Sequence, residues 1–526
     1  MDKCLTIYDV TGIQEFIFAS NKAKENIGGS IYVQNIFEKG LINCIKALDG
    51  NVKTDWENSV TFDPETDNLK AEVIYIGGGN ALILFDHKTT AVDITKMLSK
   101  KILQETQGTL GIAVAHHKTN MDDFNKDIKN LFKKLNNHKN NFVQSTPLRG
   151  IAITRECEDG LSTSGKKSEE NIYISDIAYK KRQLSKNEKT KNFPLDFDDL
   201  GQIKGESHIA VVHIDGNSMG RFINNKLKEN KNYSKAVTIM REISSGLQKL
   251  YADIFKKMVK FCSQALENKA VQERIQLKND YLPIRPIILN GDDVTFVCNG
   301  RIGIQLAEFF LKELAYTPLQ LKSGKEILSA CAGVAIVKSH FPFFRAYELA
   351  EKLCGSAKQK AKYLNKNIDD PGCWLDYHII YSGFQNDIHA MRKQLYNIPG
   401  MDAVSRDVKD KFHQYNLLLR PFCVSGNSDE MYKWEKMKTL YSKMIKIPRS
   451  RLKNLRSAFI SSMEAVDLQN AQNSSRGYKL PGYKMKKDIG ECNDKKLFVD
   501  NQTPFFEPLE LLDFYIPEFT NKDKGE

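Results

Sequence analysis

The sequence predicts an α+β protein made by internal duplication: two ferredoxin-like units, each with the order β-α-β-β-α-β, followed by a C-terminal helical domain. Three gap-free self-matches carry that expectation. IYDVTGIQEFI (7–17) lies on HIDGNSMGRFI (213–223), so that Asp9 falls on Asp215, Phe16 on Phe222 and Ile17 on Ile223. IGGGNALILF (76–85) lies on LNGDDVTFVC (289–298), and GIAVAHH (111–117) lies on GVAIVKS (333–339). The offsets of 206, 213 and 222 residues come in one order and grow slowly, as they must when loops lengthen between equivalent elements.

In the second unit, SHIAVVHI reads as a buried strand because its apolar residues run on without polar alternation. Residues 234–268 carry apolar side chains at helical spacing. A hairpin over 287–298, a helix around IGIQLAEFFLKELA and the strand LSACAGVAIV complete the unit. These elements predict four segments: 1–135, a degenerate first unit; 136–205, a basic connector with a small insertion; 206–382, the second unit; and 383–526, the helical domain. Within the last, LQNAQNSSRGY (468–478) reads as a flexible polar insertion.

At 526 residues the chain is long enough for about three cores, and 41% apolar residues suffice to fill them. No stretch approaches the run of about 18 apolar residues that a membrane span needs, and MDKCLTIYDV lacks the design of a signal peptide. A soluble cytoplasmic protein with no membrane partner is expected. The ten cysteines are scattered without a C-x-x-C pair, which argues for buried thiols over disulfides or a zinc knuckle. The net charge of +12 suits polyanionic partners without specifying one.

The chemistry concentrates at NGDD (290–293). In a ferredoxin-like sheet the first strand and the hairpin are neighbours, so the end of that strand brings Asp215 to face Asp292 and Asp293. Asn-Gly alone makes a good turn, so the acids need a separate reason. The first unit supplies a control, since Gly79 and Asn80 take the acid positions there. Three converging carboxylates repel one another unless cations neutralise them, and two divalent ions about 3.5 to 4 Å apart do so where phosphoryl groups are transferred.

DGNSMG (215–220) and NGDD (290–293), with YDVTGIQEFIF and KENIGGS (24–30) in the first unit, resemble the palm domains of nucleotide cyclases and polymerases. The closest resemblance is to the polymerase-like large subunit of type III CRISPR effector complexes, which has two palms, the first degenerate and the second carrying a G-G-D-D hairpin. Here Asn290 replaces the first Gly of that motif, a substitution expected to tolerate positive φ. The family's HD nuclease domain and its zinc module are not seen ahead of and between the palms, where Cys157 stands alone, so the chain reads as a reduced form.

The resemblance implies a metal-dependent nucleotidyl cyclase making a second messenger from ATP in antiviral defence. Asp215, Asp292 and Asp293 would be catalytic and, with the Gly216 carbonyl, would hold two Mg²⁺ or Mn²⁺ ions. Nucleotide would meet Gly216, Asn217, Ser218, Met219, Gly220, Gly291 and Lys358, and a second nucleotide would sit between the palms near Gly78 and Gly79. Two other functions stay open: a non-catalytic palm scaffold in an RNA-guided ribonucleoprotein, and a diguanylate-type cyclase using GTP. Partners would be NTPs, an RNA or ribonucleoprotein, and for some readings a second copy of the chain.

Simpler roles stand beside these. Asp9 either caps the first helix or touches a nucleotide, and Lys358 either meets phosphate or faces water. His116, His117 and His340 read as structural or surface residues. YKKRQLSKNEKTK (179–191) reads as a solvated connector with RNA contact as the alternative. Arg449, Lys453 and Arg456 share one helical face that turns to water or to a phosphate backbone.

Overall fold

The computed structural model describes residues 3–58, 62–141, 153, 156–159, 165–168, 171–186, 192–201, 207–228, 232–277, 280–365, 371–381, 387–401, 412–485 and 490–520. The first unit contains β1 (Lys3–Thr11), α1 (Ile13–Phe18), α2 (Ala23–Asn35), α3 (Ile42–Lys46), β2 (Asn51–Lys53), β3 (Leu69–Gly77), β4 (Asn80–Phe85), α4 (Lys88–Thr106), β5 (Gly111–Thr119) and α5 (Phe124–Asn140). Its sheet order is β2-β3-β4-β1-β5. After a small pair, β6 (Gly165–Lys167) and β7 (Tyr173–Ser175), and α6 (Asp176–Lys186), the second unit begins.

That unit holds β8 (His208–Gly216), α7 (Met219–Lys228), α8 (Tyr233–Ala265), α9 (Lys269–Arg274), β9 (Ile284–Asn290), β10 (Asp293–Asn299) and α10 (Gly303–Tyr316). It continues through the small hairpin β11 (Leu319–Leu321) and β12 (Gly324–Glu326) to β13 (Ala330–Lys338), α11 (Phe343–Leu364) and β14 (Cys373–Ile379). The shared four-strand antiparallel core is β3-β4-β1-β5 in one unit and β9-β10-β8-β13 in the other, the ferredoxin-like order that the duplication predicts.

β8 explains its unbroken apolar sequence. Ala210, Val212 and Ile214 enter the core beneath α8 and α10, whereas Ile209 and Val211 enter the core shared with the first unit. Both faces of this central strand are therefore dry, and no polar alternation is left to see.

The two units embrace. α8 of the second packs on β3 of the first, and α2 of the first packs on β9 of the second. The join at α8 is polar and buried: Arg241 donates to Glu72 Oε1 at 2.9 Å, to the Val73 carbonyl at 2.7 Å and to the Ile74 carbonyl at 3.3 Å. Two turns further along α8, Gln248 donates to the Ile76 carbonyl at 3.1 Å.

The connector is more ordered than its composition suggests. Residues 176–186 form a helix against α2, with Lys181 buried, Arg182 paired to Glu25 at 2.8 Å and Lys180 paired to Glu105 at 2.9 Å. KENIGGS finds its explanation in this contact, because a Cβ on Gly28 would lie 1.7 Å from the Lys181 carbonyl oxygen. The rest of the basic run, 187–191, lies outside the described residues.

The C-terminal region has helices α12 (Ile388–Tyr396), α13 (Trp434–Met444), α14 (Arg449–Ser461), α15 (Met463–Ser475), α16 (Phe506–Glu510) and α17 (Pro517–Thr520). It also has strands: β15 (Asn397–Met401) pairs with β16 (Phe412–Asn416), and β17 (Phe422–Ser425) joins the second unit's sheet beside β14. Four residues are too few to show a strand period, so the pairing of Phe422 with Leu375 comes from tertiary contact alone. The polar stretch 468–478 is mostly helix, held by buried Val466, Asn470 and Asn473. Arg449, Lys453 and Arg456 share one face as expected, and all three pair with Asp513. Among the described residues no helix is long and apolar enough to cross a membrane.

Burial raises the Glu507 carboxyl to about 7, although it accepts from the backbone N–H groups of Leu419 and Arg420 at 3.2 and 2.8 Å. A carboxyl raised in the folded state stabilises the fold most below its ordinary value of 4.5, and that contribution is lost as pH rises through about 7. Glu507→Gln keeps an acceptor oxygen and cannot ionise. Urea unfolding across this pH range should show the variant gaining on the parent by up to about 3 kcal/mol. A pH-independent difference between the two chains rules the effect out.

Candidate functional site

The site grows from the turn that joins β9 to β10. Asn290 and Asp293 are the paired ends of this two-residue turn, and Gly291 takes the left-handed position with φ 62°. The expectation for Asn290 is thus corrected: Gly291 supplies the positive φ, while Asn290 ends the strand. Across the sheet, Asp293 is the direct register partner of Asp215, and in the first unit Asn80 is the partner of Asp9. The duplication holds at single-residue precision.

Asp292 lies over Gly216. A Cβ at Gly216 would stand 2.9 Å from Asp292 Oδ2 and 2.9 Å from Met219 Cγ, so only glycine leaves the carboxylate its place. Gly216→Ala should displace Asp292 and cost about 1 to 3 kcal/mol from overpacking, read by urea denaturation. Unchanged stability together with unchanged Mn²⁺ affinity refutes this packing.

The electrostatics fit one cation among several acids. Lys358 Nζ sits 2.6 Å from Asp215 Oδ2 and 2.8 Å from the Gly216 carbonyl oxygen. Burial opposes its charge, but the Asp215 carboxylate outweighs burial and raises the lysine above its usual range. Burial and then the Asp215 charge raise Asp292. Asp293 is pushed well above the ordinary carboxylate range by burial, Asp215, Asp292 and Glu351 in turn, and its Oδ1 has no hydrogen-bond partner among the described residues. The nearest polar ring is His213, 3.4 Å from that oxygen and 3.1 Å from Thr295 Oγ1; burial pushes the imidazole down to about 4, so it is neutral.

The donors are all oxygens, the set that suits Mg²⁺ or Mn²⁺. Among the described residues no three His, Cys, Asp or Glu side chains already converge as a metal-ligand group. The ammonium of Lys358 instead stands on two of the expected donors, and the enclosed Asp293 oxygen has no partner. These two observations fit a second positive charge at this place.

Asp292 also faces a cavity of about 1040 Å³ between the two units. Gly77, Gly78 and Asn80 wall it from the first unit, and Gly220, Gly291 and Gln248 from the second. A Cβ at Gly220 or Gly291 would meet only open space. Further wall comes from α5, with Asn125, Asn136, Asn137, Lys129 and Lys133. The pseudo-equivalent place on the other side, where α1 meets α11, is filled: Phe18 stacks on Tyr347 at 4.1 Å, and Gln14 donates to Tyr347 and Glu351 at 2.9 and 3.0 Å.

Not every expected contact residue reaches this space. Asn217 is tied to Ser329 Oγ and the Gly372 carbonyl, both at 2.9 Å, and so frames the turn. Ser218 adopts φ 54° and its carbonyl starts α7, placing Met219 against Gly216. Gly79 is buried against Ile13, whereas Gly78 lines the cavity. Lys358 does not line it. Asp9 is no helix cap, since Gly12 occupies the cap of α1; it pairs with Lys139 Nζ at 2.7 Å.

Lys139 is a residue that the motif comparison misses, yet a signal for it exists. It stands fifteen residues after Phe124, the first residue of α5, as Lys358 stands fifteen after Phe343, the first of α11. The first unit therefore keeps the Asp–Lys pair while lacking the hairpin acids. His116 bonds to Thr6, His117 to Asp127, and His340 is exposed near Asp198.

Two ferredoxin-like palms facing each other across a cavity, with acids on one hairpin only, define a tandem-palm protein. Residues 208–367 match the family model described as Cas10/Cmr2, second palm domain, and residues 64–145 match that of Csm1 subunit domain B. These two segments are similar to domains of the Cas10/Csm1 proteins of type III CRISPR complexes. No curated protein matches it. Solved structures similar to it include a Csm1–Csm4 cassette in complex with cA4, at 14% identity and TM-score 0.42, covering 68% of this chain and 53% of that one. A Csm1–Csm4 cassette in complex with pppApApA is similar at 12% identity and TM-score 0.48, over 91% of this chain and 67% of that one. The chain spans about half the length of the first of these.

Proposed function

We propose that this chain is a metal-dependent nucleotidyltransferase that joins ATP units into a cyclic oligoadenylate and releases pyrophosphate, as part of a type III effector complex. The observation that carries the reading is the placement of Asp293 directly opposite Asp215, with Asp292 seated on Gly216 at the wall of an inter-palm cavity large enough for nucleotides. The first palm, with glycines where the acids would be, leaves room for a second nucleotide.

Asp215, Asp292, Asp293 and the Gly216 carbonyl would hold two Mg²⁺ or Mn²⁺ ions. Bound there, the ions would activate the attacking ribose hydroxyl and neutralise the leaving pyrophosphate. Lys358 stands on Asp215 and the Gly216 carbonyl, two of the donors that would hold an ion, and its ammonium would turn to phosphate oxygens if those donors were taken. Asn125, Asn136, Asn137 and Gln248 each carry a donor and an acceptor on one amide, the pairing that adenine presents at N6 and N7. Lys129 and Lys133 add positive charge for phosphates at the same wall.

The test is incubation of the purified chain with each NTP and Mn²⁺, alone and with guide RNA and candidate partner subunits, followed by pyrophosphate assay and mass spectrometry. Cyclic adenylate products are expected. Absence of product from every NTP under all these conditions refutes the proposal, and stable RNA co-purification without turnover favours a scaffold.

A further inference from the structure

We propose that Asn290 is a positioning residue: its amide latches the turn bearing Asp292 and Asp293 onto the acid-free hairpin of the first palm, and thereby fixes Asp292 relative to the cavity. Its functional consequence rests on the activity proposed above.

Asn290 Oδ1 accepts a hydrogen bond from the Gly78 backbone N–H at 2.9 Å. The two residues lie 212 apart in sequence and sit at the tips of the two duplicated hairpins. Turn geometry does not call for Asn290, since Gly291 takes the left-handed position. Its side chain is thus available for a partner. Gly78 adopts φ 62° and Gly79 φ 75°, so the first hairpin turns on two successive left-handed residues and offers its N–H outward to the facing turn.

The latch is one-sided. In the duplication Gly77 is the counterpart of Asn290, and it has no side chain to return the bond to Gly291. A Cβ at Gly77 would stand 3.2 Å from Gln248 Nε2, the group that holds the Ile76 carbonyl. The second palm therefore supplies both holds on the first hairpin: Gln248 along the strand, and Asn290 at the tip.

Among the described residues no other side-chain hydrogen bond reaches Asn290 or Gly291 at this tip. Gly291 is surrounded by open space, and Asp292 and Asp293 repel each other and Asp215. A neutral hydrogen bond at an accessible tip adds little to global stability. Its effect is on position: Gly78 and Asp292 line the same cavity, so the bond sets the carboxylate against the wall that the first palm contributes.

The experiment uses the full chain with Asn290→Ala and Asn290→Gly. Amide exchange over residues 76–80, followed by mass spectrometry, should speed up about fivefold or more, with the thermal midpoint within about 2 °C of the parent. Mn²⁺ alone, titrated calorimetrically, should bind several-fold more weakly. With ATP, kcat should fall about tenfold while KM stays within about twofold, the pattern of a displaced reacting group. Unchanged exchange over 76–80 overturns the latch. Faster exchange with Mn²⁺ affinity and kcat both at parental values shows a bond that positions nothing, and overturns the proposal equally. A parent chain that turns over no nucleotide refutes the activity proposed above, whereas exchange and Mn²⁺ affinity still decide the latch.

Discussion

Replacing Asp292 and Asp293 together by Asn is expected to lower pyrophosphate release from ATP by at least about a thousandfold while the thermal midpoint rises by about 2 °C. The two effects have one cause. In the absence of a metal the carboxyls are held above their ordinary values by burial and by one another's charge, so their ionised forms work against the fold. A carboxyl raised on folding contributes most below its ordinary value of 3.8, and the contribution is lost as pH rises through the raised one. The variant's stability advantage should therefore grow as pH climbs from about 4 and be absent below it. Pyrophosphate assay and differential scanning calorimetry on the same preparations check both halves. Full activity in the variant removes these residues from the mechanism, and a lowered midpoint would instead mean that the hairpin needs its acids to fold.

Arg241→Met should cost about 3 to 5 kcal/mol. The guanidinium is 3% exposed and makes its bonds to Glu72, Val73 and Ile74 across the join between the palms. Removing it leaves the fully buried Glu72 carboxylate without its cation and takes one donor from each of the Val73 and Ile74 carbonyls. Methionine keeps much of the side-chain volume, so the loss reports charge and hydrogen bonds more than a cavity. Glu72→Gln in the same chain should recover part of it, because an amide is cheaper to bury than an unpaired carboxylate. Urea unfolding of the single and double variants measures this directly. Equal stabilities for the two would mean that Glu72 takes up a proton at little cost.

The sequence shows most where the duplication repeats a pattern. Asp9 on Asp215 and Asn80 on Asp293 follow from aligned letters, and the two sheets reproduce both pairs as register partners. Short or compensated features are harder to see. β17 is four residues long, and the basic faces of α6 and α14 look solvated until Glu25, Glu105 and Asp513 arrive from distant sequence to pair with them.

The two ferredoxin-like units, the one hairpin with acids and the nearness of Asp215 to that hairpin are legible in the residues, because strand order follows from local period and from the repeat. That Lys358 rests on Asp215, that one of two pseudo-equivalent clefts is open, and that Asn290 reaches Gly78 emerge from the folded chain. Those facts depend on how two sheets pack against each other, and packing between segments some two hundred residues apart leaves no period in either of them.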